Sequence, residues 1–270
     1  MTARRAPLVL ALAATIAVAV PAPAGARHTP PAPLLQLPAT LPQRTVVLPI
    51  LMYHRIDVLR PSLPAITRSL TVTPADFLAQ MEWLKRHGFH AVTQLQTFDA
   101  LELGARLPPK PIMITFDDGY RDVLWNASPV LHRLGMPATS YVITGRISGP
   151  DPSFLTWGEL KVLEQRGVTI GSHTVDHLPL ADLGSAEAMT ELRNSRRALE
   201  RHLGHPVQWF AYPYGSFDAS VVALVREAGY VLAVTTQGGT TQSADQPLLL
   251  HREEVLDTTG PDGLAGLLGG

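Results

Sequence analysis

Apolar positions in this chain follow two periods. Short apolar runs, several rich in β-branched residues, occupy 46–53, 91–93, 112–116, 138–143, 168–171, 207–212, 230–235 and 248–250, and each reads as a strand. Between them the spacing lengthens to the helical repeat. Thr73 and Pro74 open one such segment as N-cap and first helical residue, Phe77, Met81 and Leu84 continue it, and Gly88 stops it. Further helices are predicted over 98–103, 123–134, 156–166, 185–203 and 217–228, most of them closed by a glycine. Thr156 and Glu159 have the spacing of a capping box. Strand followed by helix, repeated with short loops, predicts parallel βα units. With about seven strands an irregular (β/α) barrel fits better than an open sheet.

The two ends of the chain read differently. Arg4 and Arg5 precede an apolar segment over 8–20 and the small residues Ala24-Gly25-Ala26, the order of a secretory signal peptide spanning 1–26. An uncleaved membrane anchor is the alternative, although the run is short for a span. Prolines 30, 31, 33, 38 and 42 mark 27–44 as an extended linker. The folded domain is expected over 45–258, and the Gly-rich stretch 259–270 as a flexible tail. The predicted location is secreted, periplasmic or at the cell envelope.

Composition narrows the chemistry. With no cysteine, thiolate nucleophiles, disulfides and Cys-based metal sites are excluded, so any metal must rest on His, Asp, Glu or water. A formal net charge of −1 and the lack of a Lys/Arg-rich run argue against a nucleic-acid partner.

Polar residues gather where strands are predicted to end: His54, Asp117-Asp118, His173 and Tyr214. In a (β/α) barrel these ends form the catalytic face. Adjacent carboxylates repel, so the Asp117-Asp118 pair calls for a cation, unless one of them merely caps the next helix. His173 and His177 are spaced i, i+4, which places two imidazoles on one side of a turn. Added to a carboxylate from a neighbouring strand, they compose a His-His-Asp set that leaves coordination positions open for water and substrate.

Thr-Phe-Asp-Asp-Gly at 115–119, Ser-His-Thr-Val-Asp-His at 172–177 and Ala-Tyr-Pro-Tyr-Gly at 211–215 resemble the polysaccharide deacetylase (NodB-homology) family of carbohydrate esterases. The likeness spans roughly residues 48–255. It implies a distorted (β/α)7 barrel and removal of acetyl groups from sugar polymers with a divalent metal, zinc first and cobalt or nickel as alternatives. By position it implies Asp117 as general base and Asp118, His173 and His177 as metal ligands. The Tyr214 turn would supply an oxyanion-stabilising backbone N–H. Many members carry an arginine before the Pro-Tyr-Gly turn to orient the base; here Ala211 and Tyr212 stand there.

The segment 50–55, Ile-Leu-Met-Tyr-His-Arg, is similar to the poly-β-1,6-N-acetylglucosamine deacetylase branch, whose barrel is circularly permuted. That likeness implies His54 as general acid. His251 competes for the role, and His54 can also be read as a structural strand-end residue. Asp176 is assigned at most an orienting role. The expected protein is a monomer acting on an N-acetylated polysaccharide. Two other readings stay open: an O-acetyl xylan or peptidoglycan esterase on this scaffold, and a non-catalytic envelope carbohydrate binder.

Overall fold

The structure is a computed structural model that describes residues 34–268. Seven strands form the main path of one curled parallel sheet, Ile50–Tyr53 (β1), Pro111–Phe116 (β2), Ala138–Val142 (β3), Val168–Ser172 (β4), Trp209–Ala211 (β5), Leu232–Val234 (β6) and Glu253–Glu254 (β7), and an eighth, His90–Ala91, pairs with the start of β2 off that path. The order in space along the path is β6-β5-β4-β3-β2-β1-β7. The segment leading into β7 brings the two edges together. Leu250 exchanges hydrogen bonds with Ala233 and Thr235 beside β6, at 2.9 and 2.8 Å, and Val255 N–H reaches Met52 of β1 at 3.0 Å. The sheet thereby becomes the expected distorted (β/α)7 barrel.

Helices Pro74–Arg86 (α1), Ser128–Leu134 (α2), Trp157–Gln165 (α3), Ser185–Leu203 (α4) and Ala219–Glu227 (α5) lie in the connections. Thr73 caps α1 and the Thr156–Glu159 box caps α3, as their spacing predicts. Strand β2 shows why its sequence is apolar at every position but Thr115, whose hydroxyl donates to Leu51 O. Ile112, Ile114 and Phe116 face the helices, packing with Phe77, Met81 and Leu131, while Met113 packs with Ile50, Tyr141 and Leu250 in a second core. A parallel barrel strand is covered on both faces and has no solvent side on which to place polar residues. Tyr53, Phe77 and Phe116 form an aromatic cluster with centroids 5.4–5.8 Å apart, and the buried Tyr53 hydroxyl donates to Gln80.

The chain departs from the sequence expectation in four places. The expected tail is not loose over its described part, 259–268: Pro261–Leu267 (α6) is a helix with Leu264 fully buried. Pro261 starts it, and Leu264, Leu267 and Leu268 repeat at helical spacing among glycines that mask the pattern. The linker is docked from its described part onward, because the Gln208 side chain donates to Leu35 O and accepts from Leu35 N–H. The last strand is Glu253–Glu254 rather than 248–250, of which Leu250 alone forms a bridge. Finally, Gln94–Phe98 is the α-helix expected a few residues later, its start fixed by a Thr93–Gln96 capping box, and a π-turn follows over Asp99–Leu103. The expected leader over 1–26 lies outside the described residues. No helix among the described residues is long and apolar enough to cross a membrane.

Because Leu264 is buried against the barrel's helical layer, Leu264→Ala should lower the unfolding free energy by about 2–5 kcal/mol. Urea denaturation measures this, and a change under about 0.5 kcal/mol, the size of an ordinary surface substitution, would show that α6 is not docked.

Candidate active site

The strand ends converge on one cleft of about 720 Å³, lined among others by His54, Asp117, Asp118, His173, Asp176, His177 and Tyr214. His54 follows β1, the two aspartates follow β2, His173 follows β4 and the Tyr214 turn follows β5. The barrel thus assembles all six site residues expected from the sequence. Four of the six non-glycine residues with left-handed backbone in the described chain are here: Asp118, Thr174, His177 and Tyr214, at φ 72, 66, 59 and 57°. Such conformations are costly and persist where the surroundings enforce them. At Asp118 the reversal has a direct effect, turning two consecutive carboxylates towards different partners.

Asp118, His173 and His177 form a compact triangle. His173 Nε2 and His177 Nε2 lie 3.7 and 3.6 Å from Asp118 Oδ1 and 3.1 Å from each other. A tetrahedral zinc ion with bonds of ~2.0–2.1 Å sets its ligands roughly 3.3 Å apart, so the triangle needs adjustments of only a few tenths of an ångström. The donor chemistry agrees. His173 Nδ1 donates to the Ala211 carbonyl at 2.8 Å, which leaves the Nε2 lone pair facing the triangle. Burial lowers the His173 pKa to about 3, against the opposing pull of Asp117, and it also lowers that of His177. Asp118 Oδ1 is buried without a hydrogen-bond donor. Burial and the adjacent Asp117 charge push the Asp118 carboxyl up to about 7. A carboxylate oxygen without a donor and two imidazole nitrogens gathered around one point are what a divalent cation would satisfy.

Asp117 is in a different state. Arg252 meets it with two parallel N–H···O bonds of 2.7 Å, and both side chains are almost wholly buried. Burial on its own would raise the Asp117 pKa, but the guanidinium charge and its hydrogen bonds outweigh that and hold the carboxyl well below the usual carboxylate range. Arg252 is itself fixed by donating Nε–H to the Thr235 carbonyl at 2.8 Å. The sequence places no arginine at 211–212, and the structure brings one from the closing strand instead. Its only sequence signal is a charged residue two positions past a short apolar run, directly after the competing His251.

The two histidine candidates separate cleanly. His54 lines the cleft, and its Nδ1 is buried without a partner, so no backbone bond of the structural kind holds that nitrogen. Burial lowers its pKa, with the Asp117 charge working in the opposite direction. His251 is absent from the cleft wall: its ring packs against Gly239 and its backbone N–H and C=O bond to the Gln242 side chain. Tyr214 remains 67 % exposed, with its ring 4.4 Å from that of His177.

A residue without a role in the sequence reading supports the histidine loop. Glu191, buried in α4, accepts from the backbone N–H groups of both Val175 and Asp176 at 2.9 Å. Its signal is a charge on the helix face that also carries Ala188, Leu192 and Ser195. Asp176 itself contributes its N–H to this clamp. Because the clamp sets the loop that carries both histidines, Glu191→Ala should weaken zinc binding by ~10–100-fold in a direct titration. Wild-type affinity in that variant would dismiss the clamp.

Comparison with known proteins agrees with the geometry. The Polysaccharide deacetylase family profile matches residues 104–233. YxkH of Bacillus subtilis (strain 168), a protein assigned to the polysaccharide deacetylases, is 32% identical over 79% of this chain and 73% of its own length. A poly-beta-1,6-N-acetyl-D-glucosamine N-deacetylase of Staphylococcus aureus is 25% identical over 70% of this chain and 71% of its own. Among solved structures, the Streptococcus pyogenes deacetylase PplD in complex with acetate superposes with a TM-score of 0.77 at 30% identity, covering 83% of this chain and 99% of that one. This chain belongs to the polysaccharide deacetylase family.

Proposed function

We propose that the protein is an exported, zinc-dependent N-deacetylase of a cell-surface or extracellular polysaccharide of the poly-N-acetylglucosamine or chitin type. The observation that carries this reading is the open Asp118–His173–His177 triangle beside an Asp117 held ionised by Arg252. The net reaction is hydrolysis: the acetamide and water give acetate and the protonated amine. Asp117 takes a proton from the attacking water as the new C–O bond forms. The carbonyl π electrons move onto oxygen, and the backbone N–H at Tyr214 donates to that oxyanion. The C–N bond then breaks as His54 delivers a proton to the departing nitrogen. A divalent ion held by Asp118, His173 and His177 would supply Lewis-acid polarisation of the acetyl carbonyl and of the attacking water. Zinc suits two imidazoles and a carboxylate, and cobalt and nickel are the natural comparisons.

Arg252 removes the main support for a non-catalytic binder, which was the missing arginine beside the base. The position of His54 just past the first barrel strand supports a strand order permuted relative to the common family arrangement. The expected leader at 1–26 supports export, and monomeric action is part of the same reading.

The reading is tested by acetate release from poly-β-1,6-N-acetylglucosamine, chitooligosaccharides and acetylated xylan, with zinc, cobalt and nickel compared. Release from the N-acetylated substrates is expected; release from xylan alone would identify an O-acetyl esterase instead. Asp117→Asn should reduce kcat by ~10²–10⁴-fold while zinc content stays at the wild-type level. Full activity in that variant would remove Asp117 as the base. His54→Ala should fall by a similar factor, with His251→Ala close to wild type; the reverse pattern would transfer the acid role to His251.

A further inference from the structure

The parallel ladder between β1 and β2 runs to Tyr53 and Phe116, and beyond that register Asp117 N–H donates to Tyr53 O at 2.9 Å. His54 and Asp118 follow at once, each on its own departing loop. The sheet therefore stops just short of the proposed acid and the metal triangle. Their separation depends on what joins the two loops past the ladder.

Asp122 makes that join. It stands four residues after Asp118, and its carboxylate reaches back to the segment behind His54. Oδ1 accepts from Ile56 N–H at 3.0 Å and Oδ2 accepts from Arg55 Nε–H at 3.0 Å. Asn126, on the turn that follows Asp122, donates its side-chain N–H to Ile56 O at 2.7 Å. Both backbone polar groups of Ile56 are thus held from the Asp118 side. Arg55 touches the same side again, its guanidinium lying 4.7 Å from the Tyr120 ring centre. A second carboxylate near Arg55, Asp57 at 3.4 Å, lies on the His54 segment itself and so links nothing across.

The latch is built to be stiff. The Arg55 and Asp122 side chains are only 15 % and 8 % exposed, and a charge-assisted bond that little solvated is stronger and more directional than a surface pair. From the far side, Arg55 and Ile56 pair with Thr71 and Val72. The turn of Asp118 has a further support in Leu155 N–H, which donates to Gly119 O at 3.0 Å. Loosening the latch would therefore displace His54 before it displaced the triangle.

We propose that Asp122, acting through Arg55 and Ile56, is a positioning residue that holds His54 at its working distance from the metal triangle. The inference rests on the N-deacetylase reading, in which His54 delivers the leaving-group proton. Arg55 borders the cleft and Asp122 does not, so Asp122 is the residue to vary.

The experiment combines turnover with amide hydrogen exchange on the full chain. Asp122→Ala should lower kcat for acetate release from N-acetylglucosamine oligomers by ~10–100-fold, the cost of a misplaced group, with KM and zinc content close to wild type. On a His54→Ala background the same substitution should cost less than about twofold, because the group it positions is already gone. Losses that multiply in the double variant, or zinc lost together with activity, would overturn the assignment. Exchange reads the latch without turnover. Amides over 54–57 should exchange about tenfold faster in Asp122→Ala, with 172–177 unchanged. Asp122→Asn still accepts from Ile56 but lacks the charge for Arg55, so it should show both effects at smaller size, and it serves where the alanine variant does not fold. Unaltered exchange over 54–57 in the folded variant refutes the latch. Faster exchange there, in a protein whose wild type releases no acetate, keeps the latch and refutes the N-deacetylase reading.

Discussion

The buried pair between Arg252 and Asp117 joins the architecture to the chemistry. Two charges out of water are tolerable because the contact is bidentate and two further guanidinium N–H groups reach Thr235 O and Thr115 Oγ1. Arg252 stands between Leu250, bonded to the β6 edge, and β7, which pairs with β1. The segment that closes the barrel is therefore the segment that holds the proposed base ionised. A sheet that failed to close would leave Asp117 as an isolated buried carboxylate, and its pKa would rise with burial instead of falling.

That pair also divides labour between two neighbouring aspartates. Asp117 has its negative charge answered inside the protein. Asp118 has no such answer: its Oδ1 lacks a donor, and the charge next door makes ionisation harder. One carboxylate is supplied with a cation and the other is left requiring one, which two neutral imidazole lone pairs help to hold. Left-handed backbone at Asp118, Thr174 and His177 sets these directions, and Glu191 together with the Thr174 hydroxyl, which accepts from His177 N–H at 3.0 Å, keeps the histidine loop in place.

The local part of this design was legible in the sequence. Asp117-Asp118, His173, His177 and Tyr214 sit at ends of apolar runs, and a parallel barrel gathers such ends on one face whatever the details of packing. Spacing within a turn also reports the His173–His177 pairing, because four residues span it. Helix α6 was hidden for a local reason: glycines at 260, 263 and 266 carry a strong loop signal that outweighed the leucine repeat between them. Docking on the barrel supplies the burial that stabilises a helix of weak intrinsic propensity.

Sequence by itself determined the βα alternation, the barrel class and the identities of the residues offered to the cleft, since each depends on hydrophobic period or short-range spacing. Tertiary structure decided what those residues become. The contact between Arg252 and Asp117 spans 135 positions along the chain, and no local pattern distinguishes that arginine from one in solvent. The placement of His54 and His251 is of the same kind: both follow apolar runs, and only the curl of the sheet turns one into the cleft and the other against Gly239. Burial and orientation, which set the protonation states here, exist only after the barrel has closed.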